Sequence, residues 1–126
     1  MNIPTNLKYS KDHEWIRKED NIAYVGVTDY AQSELGDVVF VEIETVGEIL
    51  NKGETFGTIE AVKTVSDSYM PVSGKVIEKN EKLDSTPDLI NKDPYGEGWM
   101  IKIEMTNPSE YDELLTPEQY KELIGH

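Results

Sequence analysis

The side chains of this 126-residue chain that could do chemistry are few in kind: two histidines and no cysteine stand beside 25 acidic residues. Without cysteine there are no disulfides, no thiolate metal sites and no cysteine nucleophile. His13-Glu14 lacks the second histidine of a zinc-binding helix and His126 is the final residue, so no metal site is expected. No Gly-x-Ser-x-Gly elbow occurs, and Gly96-Glu97-Gly98 is too short for a phosphate loop. Paired carboxylates could do acid–base work, but in so acidic a chain any one taken alone reads as solvated surface. Lys63 stands apart. The strand-like runs from Thr55 to Val62 and from Val65 to Met70 leave only Lys63-Thr64 between them, so this amine projects from a hairpin tip. Turns favour Gly, Asn, Asp and Pro; here valines flank the lysine instead. Such a turn has a shape that something else reads, the alternative being a charged tip that merely keeps the turn in water.

The elements that must position this lysine are mostly short strands. Trp15-Ile16-Arg17, the polar turn Lys18-Glu19-Asp20-Asn21 and the run Ile22 to Val27 predict a hairpin. Asp29 to Leu35 predicts a short helix, capped by Thr28 or Asp29 and closed by Gly36 in the left-handed position. Val38 to Ile43 is apolar almost throughout, which predicts a strand buried on both faces. Gly47 and Gly53 mark turns, Pro71 ends the run after the lysine, and Val72 to Glu78 supplies another strand after a Ser-Gly turn. The flanks of Lys63 share length and strand character, a pattern of symmetric β-structure. Trp99 to Met105 alternates as a strand. Pro108 and Pro117 then open two short helices over about 108–124, the second with the capping box Thr116-Pro117-Glu118-Gln119 and Gly125 at its close. They are expected to pack through Tyr111, Leu114, Leu115, Tyr120 and Leu123. The whole reads as one mainly β domain, 1–126, with a helical tail.

Composition bounds the partners. With 12 basic against 25 acidic residues the formal charge is −13, which repels phosphate and excludes nucleic acid and anionic membrane as expected partners. Disorder is not expected, because 37 % hydrophobic residues with seven tyrosines and two tryptophans supply a core. No run approaches the roughly eighteen apolar residues of a membrane helix. Met1 to Asn6 has neither a signal core nor transit-peptide character, so a cytoplasmic location is expected; a processed mitochondrial matrix protein would read the same way.

At the lysine the sequence resembles a known family. Glu60-Ala61-Val62-Lys63-Thr64-Val65-Ser66-Asp67 is similar to the lipoyl-lysine segment of glycine cleavage H proteins. His13-Glu14-Trp15, Thr28-Asp29-Tyr30-Ala31-Gln32, Leu35-Gly36-Asp37, Pro71-Val72-Ser73-Gly74, Leu89-Ile90-Asn91, Asp93-Pro94-Tyr95-Gly96 and Gly98-Trp99 match the family pattern in order. The likeness runs from about Lys8 into the C-terminal helices. It implies a flattened β-barrel, the barrel-sandwich hybrid of lipoyl domains, with short peripheral and C-terminal helices. It implies lipoate joined to Lys63 as an amide, on a protein that is a carrier and not an enzyme. The arm would take the aminomethyl group of glycine from glycine decarboxylase to aminomethyltransferase, with dihydrolipoamide dehydrogenase reoxidising it. A lipoate ligase or octanoyltransferase would install it. A carrier this acidic could be steered toward basic entrances on its enzymes.

The resemblance also assigns roles. Glu60, Val62 and Thr64 fall where lipoylating enzymes recognise the turn, and biotin carriers have methionines at the two flanking positions. Ala61 and Thr64 stand where Ser and Ala are commoner in the family. Glu14 and Asp67 fall where the family lines the cleft for the loaded arm, whose cargo amine is cationic and suits carboxylates. Trp15 and Trp99 read as core aromatics, and Asp93 to Gly96 as a fixed loop. The alternative duty is that of an H-like protein relaying lipoyl groups to other lipoyl domains.

Overall fold

The computed structural model describes residues 1–125; His126 lies outside them. Nine strands and four short α-helices follow in the order β1 (Lys8–Tyr9), β2 (Glu14–Glu19), β3 (Ile22–Val27), α1 (Asp29–Leu35), β4 (Val38–Glu42), β5 (Ile49–Leu50), β6 (Thr55–Ala61), β7 (Val65–Tyr69), β8 (Gly74–Lys79), α2 (Lys82–Ser85), α3 (Leu89–Lys92), β9 (Ile101–Met105) and α4 (Pro117–Ile124), with a 3-10 helix at Pro108–Glu113. They form a six-stranded sheet, β1-β2-β3-β9-β8-β5, and a three-stranded sheet, β4-β6-β7. All pairings are antiparallel. Ile16, Val25, Val76, Ile101 and Ile103 from the larger sheet meet Val41, Phe56 and Ile59 from the smaller in one core. This mainly β architecture of two sheets with short helices fits the expected barrel-sandwich hybrid.

Period-2 alternation places the strand faces. In β9, Ile101, Ile103 and Met105 are buried while Lys102 and Glu104 point away. The β2–β3 hairpin is tighter than the sequence predicts: Lys18 pairs with Ala23 and Glu19 with Ile22, leaving Asp20-Asn21 as the turn. Asp20 takes φ 57°, a conformation that Asp tolerates better than most residues. Thr28 caps α1, accepting from Ala31 N.

Three further expectations are corrected. β4 is not buried on both faces; it is an edge of its sheet, and a bulge between Val38 and Phe40 leaves Val39 and Phe40 about half exposed. Gly36 has positive φ (80°) but ψ −158°, outside the left-handed helical region, because the chain must run straight from α1 into β4. The first of the two expected C-terminal helices is present, as a 3-10 helix. Leu123 is exposed, since α4 packs through Tyr120 and Ile124, one turn apart. The α2 and α3 helices, of four residues each, were too short to show a period.

A second cluster gathers Ile3, Leu7, Tyr9, Trp15 and Tyr120 beside the main core. Tyr9 stacks on Tyr120 at 4.7 Å, and the Trp15 indole N–H donates to the Pro94 carbonyl at 2.9 Å. The Asp93–Gly96 loop is fixed from several sides. Tyr95 OH accepts from Asp29 N and donates to Asn2 O, while the Asp93 carboxylate accepts from Glu97 N. Trp15 is fully buried; Trp99 is only partly so, edge-on to Tyr24.

Candidate functional site

Lys63 lies in the connection between β6 and β7. Ala61 N donates to Thr64 O at 2.8 Å, closing the turn, and Val62 N donates to Asp37 O at 2.9 Å, tying it to the α1–β4 connection. The aliphatic stem of Lys63 crosses Gly36 closely: a Cβ on Gly36 would stand 3.2 Å from Lys63 Cε. Val62, Lys63, Thr64 and Val65 are all exposed. Among the described residues Lys63 enters none of the ion pairs. Glu60 is exposed opposite Phe40 on one side and Val65 on the other, so its carboxylate shares a face with two exposed apolar side chains.

Beside the turn a cleft of about 410 Å³ opens between α1, the segment entering β2, and β7. Glu14, His13, Asp12, Tyr30, Glu34 and the run from Thr64 to Ser68 line it, so one wall begins at the residue after Lys63. β7 pairs only with β6, and its other edge faces this space. The structure thus brings Glu14 and Asp67 to one cleft, though in different settings. Glu14 is 2 % exposed; Ser10 Oγ donates to its Oε1 at 2.6 Å and Tyr69 N to its Oε2 at 3.3 Å. Burial pushes its carboxyl up to about 8, with Asp12 adding to the rise and the two hydrogen bonds opposing it. Asp67 is exposed, and its Oδ1 accepts from Thr58 Oγ1 across the β6–β7 pair.

His13 supplies a donor that the sequence did not disclose. Its Nδ1 lies 2.9 Å from Tyr120 OH, which lies 2.7 Å from Thr28 Oγ1. Thr28 is fully buried and already accepts from Ala31 N; among the described residues its hydroxyl has no acceptor but Tyr120 O. Thr28 therefore donates to Tyr120 and Tyr120 to His13 Nδ1, which leaves the ring proton of neutral His13 on Nε2. Burial lowers the His13 pKa, against the pull of Asp12 and Glu34. Asp12 and Glu34 were also missed as wall residues. The spacing of Tyr30, Ala31, Glu34 and Leu35 marks one helix face, but not what that face looks onto.

Among the described residues no group of three or more His, Cys, Asp or Glu could hold a metal ion. Nor is any helix long and apolar enough to cross a membrane.

The sequence model of a family described as Glycine cleavage H-protein matches residues 7–126. The chain belongs to the glycine cleavage H-protein family. It is 59 % identical over 125 residues to the glycine cleavage system H protein of Bacteroides thetaiotaomicron, covering 99 % of each chain. Against the Staphylococcus haemolyticus protein of the same name it is 53 % identical at the same coverage. A crystal structure of a glycine cleavage system H protein from Mycobacterium marinum superposes with a TM-score of 0.90 at 39 % identity, over 98 % of this chain and all of that one. As an H protein the chain is a carrier component of the glycine cleavage system and not itself a catalyst. The relay duty is not the one that these relatives' names favour.

Proposed function

We propose that Lys63 carries lipoate as an amide on Nζ, and that the cleft beside it, with Glu14 and Asp67, receives the cationic end of the cargo. The observation that carries the reading is the isolated, exposed lysine on a turn whose neighbour Thr64 opens the wall of a carboxylate-lined cleft. The residues fit the group: the amine has no ion-pair partner among the described residues, and Gly36 leaves room for the lysine stem to lie flat. When bound, lipoate supplies a dithiolane that accepts the aminomethyl group derived from glycine.

The chain's own residues do the rest. The turn exposes Lys63, whose side chain lies along Gly36, with Glu60, Val62 and Thr64 as the features that the lipoate ligase or octanoyltransferase reads. Burial favours the protonated form of Glu14 by raising its pKa to about 8. A cationic amine arriving beside it favours the carboxylate, so capture of the cargo releases a proton and tightens as pH rises toward 8. The buried side of the cleft also keeps water from the cargo. The partners on this reading are glycine decarboxylase, aminomethyltransferase and dihydrolipoamide dehydrogenase, met in the cytoplasm, and residues 1–126 act as one domain.

Incubation with lipoate ligase, ATP and lipoate, followed by intact mass and peptide mapping, tests the attachment. Wild type gains one lipoyl group at Lys63, and Lys63→Ala gains none. Addition elsewhere, or none to folded wild type under conditions that modify another lipoyl domain, refutes the assignment.

A further inference from the structure

We propose that Asn91 is a positioning residue for modification of Lys63, holding the α1–β4 connection as the platform on which the lysine turn rests. The inference builds on the reading of Lys63 as the lipoyl attachment site. Asn91, in α3, commits its whole amide to that connection. Its Oδ1 accepts from Val38 N at 2.9 Å, and its Nδ2 donates to Gly36 O at 2.8 Å and to Gln32 Oε1 at 3.0 Å. Only an amide offers this combination; aspartate keeps the acceptor and loses both donors.

The clamp matters because of what it encloses. Gly36, at φ 80° and ψ −158°, occupies backbone space that is essentially glycine's alone, so its carbonyl direction needs an external hold. Val38 N, beside the β4 bulge, is met by Asn91 instead of by a strand. Asp37 lies between these two fixed residues, and its carbonyl accepts from Val62 N at 2.9 Å. Apart from the bond that closes the turn on itself, this is the one backbone hydrogen bond at residues 62–64 among the described residues. The Lys63 stem lies over the same Gly36. Asn91 thus reaches the modifiable lysine through two contacts, one by way of Asp37 and one by way of Gly36.

An acylating enzyme must seat this turn with Nζ in near-attack distance of the acyl carbon. A turn held in shape binds without further ordering. A loosened turn binds only for the fraction of time that it holds that shape, which raises KM for the protein substrate and leaves kcat nearly unchanged.

The test is steady-state lipoylation of the full chain by lipoate ligase with ATP and lipoate, read by intact mass, for wild type, Asn91→Asp and Gln32→Leu. Asn91→Asp is expected to raise KM by about tenfold with kcat within about twofold, and Gln32→Leu to raise KM less, in the same direction. Val76→Ala, in the β8 core, serves as the control for lost stability. It should lower Tm and leave KM of the folded protein unchanged. An unchanged KM for Asn91→Asp overturns the proposal, as does an equal KM rise in Val76→Ala at matched Tm loss. Should Asn91→Asp not fold, Gln32→Leu decides by the same criterion. Wild type that takes no lipoyl group would instead sink the reading of Lys63, whereas wild type modified at Lys63 beside variants of unchanged KM sinks only the role of Asn91.

Discussion

Replacing Glu14 by glutamine should remove a distinct pH dependence from the stability of this protein. The Glu14 carboxyl is raised from 4.5 to about 8, chiefly by burial. Between those values the folded state holds a proton that the unfolded state has released, so stability falls as pH rises. The favourable contribution is complete below the unfolded value and is lost progressively up to the folded one. At about 1.4 kcal/mol per pH unit, wild type should lose about 2–3 kcal/mol from this group between pH 5 and pH 7, and about 1 more by pH 9. The substituted glutamine side chain keeps the volume and an acceptor for Tyr69 N, while its amide can donate to Ser10 Oγ. His13 titrates in the opposite sense, its pKa being lowered by burial, and is common to both proteins, so the difference between them isolates Glu14. The assay is urea unfolding of wild type and Glu14→Gln at pH 5, 6, 7, 8 and 9, at constant ionic strength. The two stabilities should diverge with rising pH, the variant becoming the more stable by the high end. Parallel curves across this range would refute the argument, because they would mean that Glu14 ionises in the folded state much as it does in the unfolded chain.

Two further outcomes concern packing and capping. Gly26→Ala would place a Cβ 2.7 Å from Trp15 Nε1, on a ring that is fully buried and bonded to Pro94; unfolding free energy from urea titration should fall by about 1–3 kcal/mol, with Trp15 fluorescence altered in the folded state. Thr116→Ala removes one half of the capping box of α4, whose Tyr120 hydroxyl reaches His13 and Thr28. The expected cost is about 1 kcal/mol by the same titration, and Thr116→Ser should restore most of it.

The position of Lys63 was legible from the sequence because it depends only on neighbours along the chain. Two β-runs separated by too few residues for anything but a turn leave one place for the amine to go. The α1 helix, the capping box at Thr116 and the alternation of β9 were legible for the same reason: caps and side-chain periods are local. β4 shows where that logic stops. Its apolar run predicts burial on both faces, but whether a strand has a neighbour on each side, and a layer over each face, is decided by the whole sheet. At the edge position, with a bulge after Val38, Val39 and Phe40 face outward.

The chemistry of the cleft belongs to the tertiary structure. Nothing in His13-Glu14-Trp15 states that Glu14 will lie beneath Tyr69 N, 55 residues away, in a buried setting that raises its pKa. Nothing in Leu89-Ile90-Asn91 states that the Asn91 amide will meet Val38 N across a separation of 53 residues. A proton affinity and a clamp both depend on what packs over a group, and that is set by chain segments brought together only on folding. The sequence alone determined which amine is presented and on what kind of turn. The fold decided what surrounds it, because desolvation and hydrogen-bond geometry exist only once the sheets have closed on their common core.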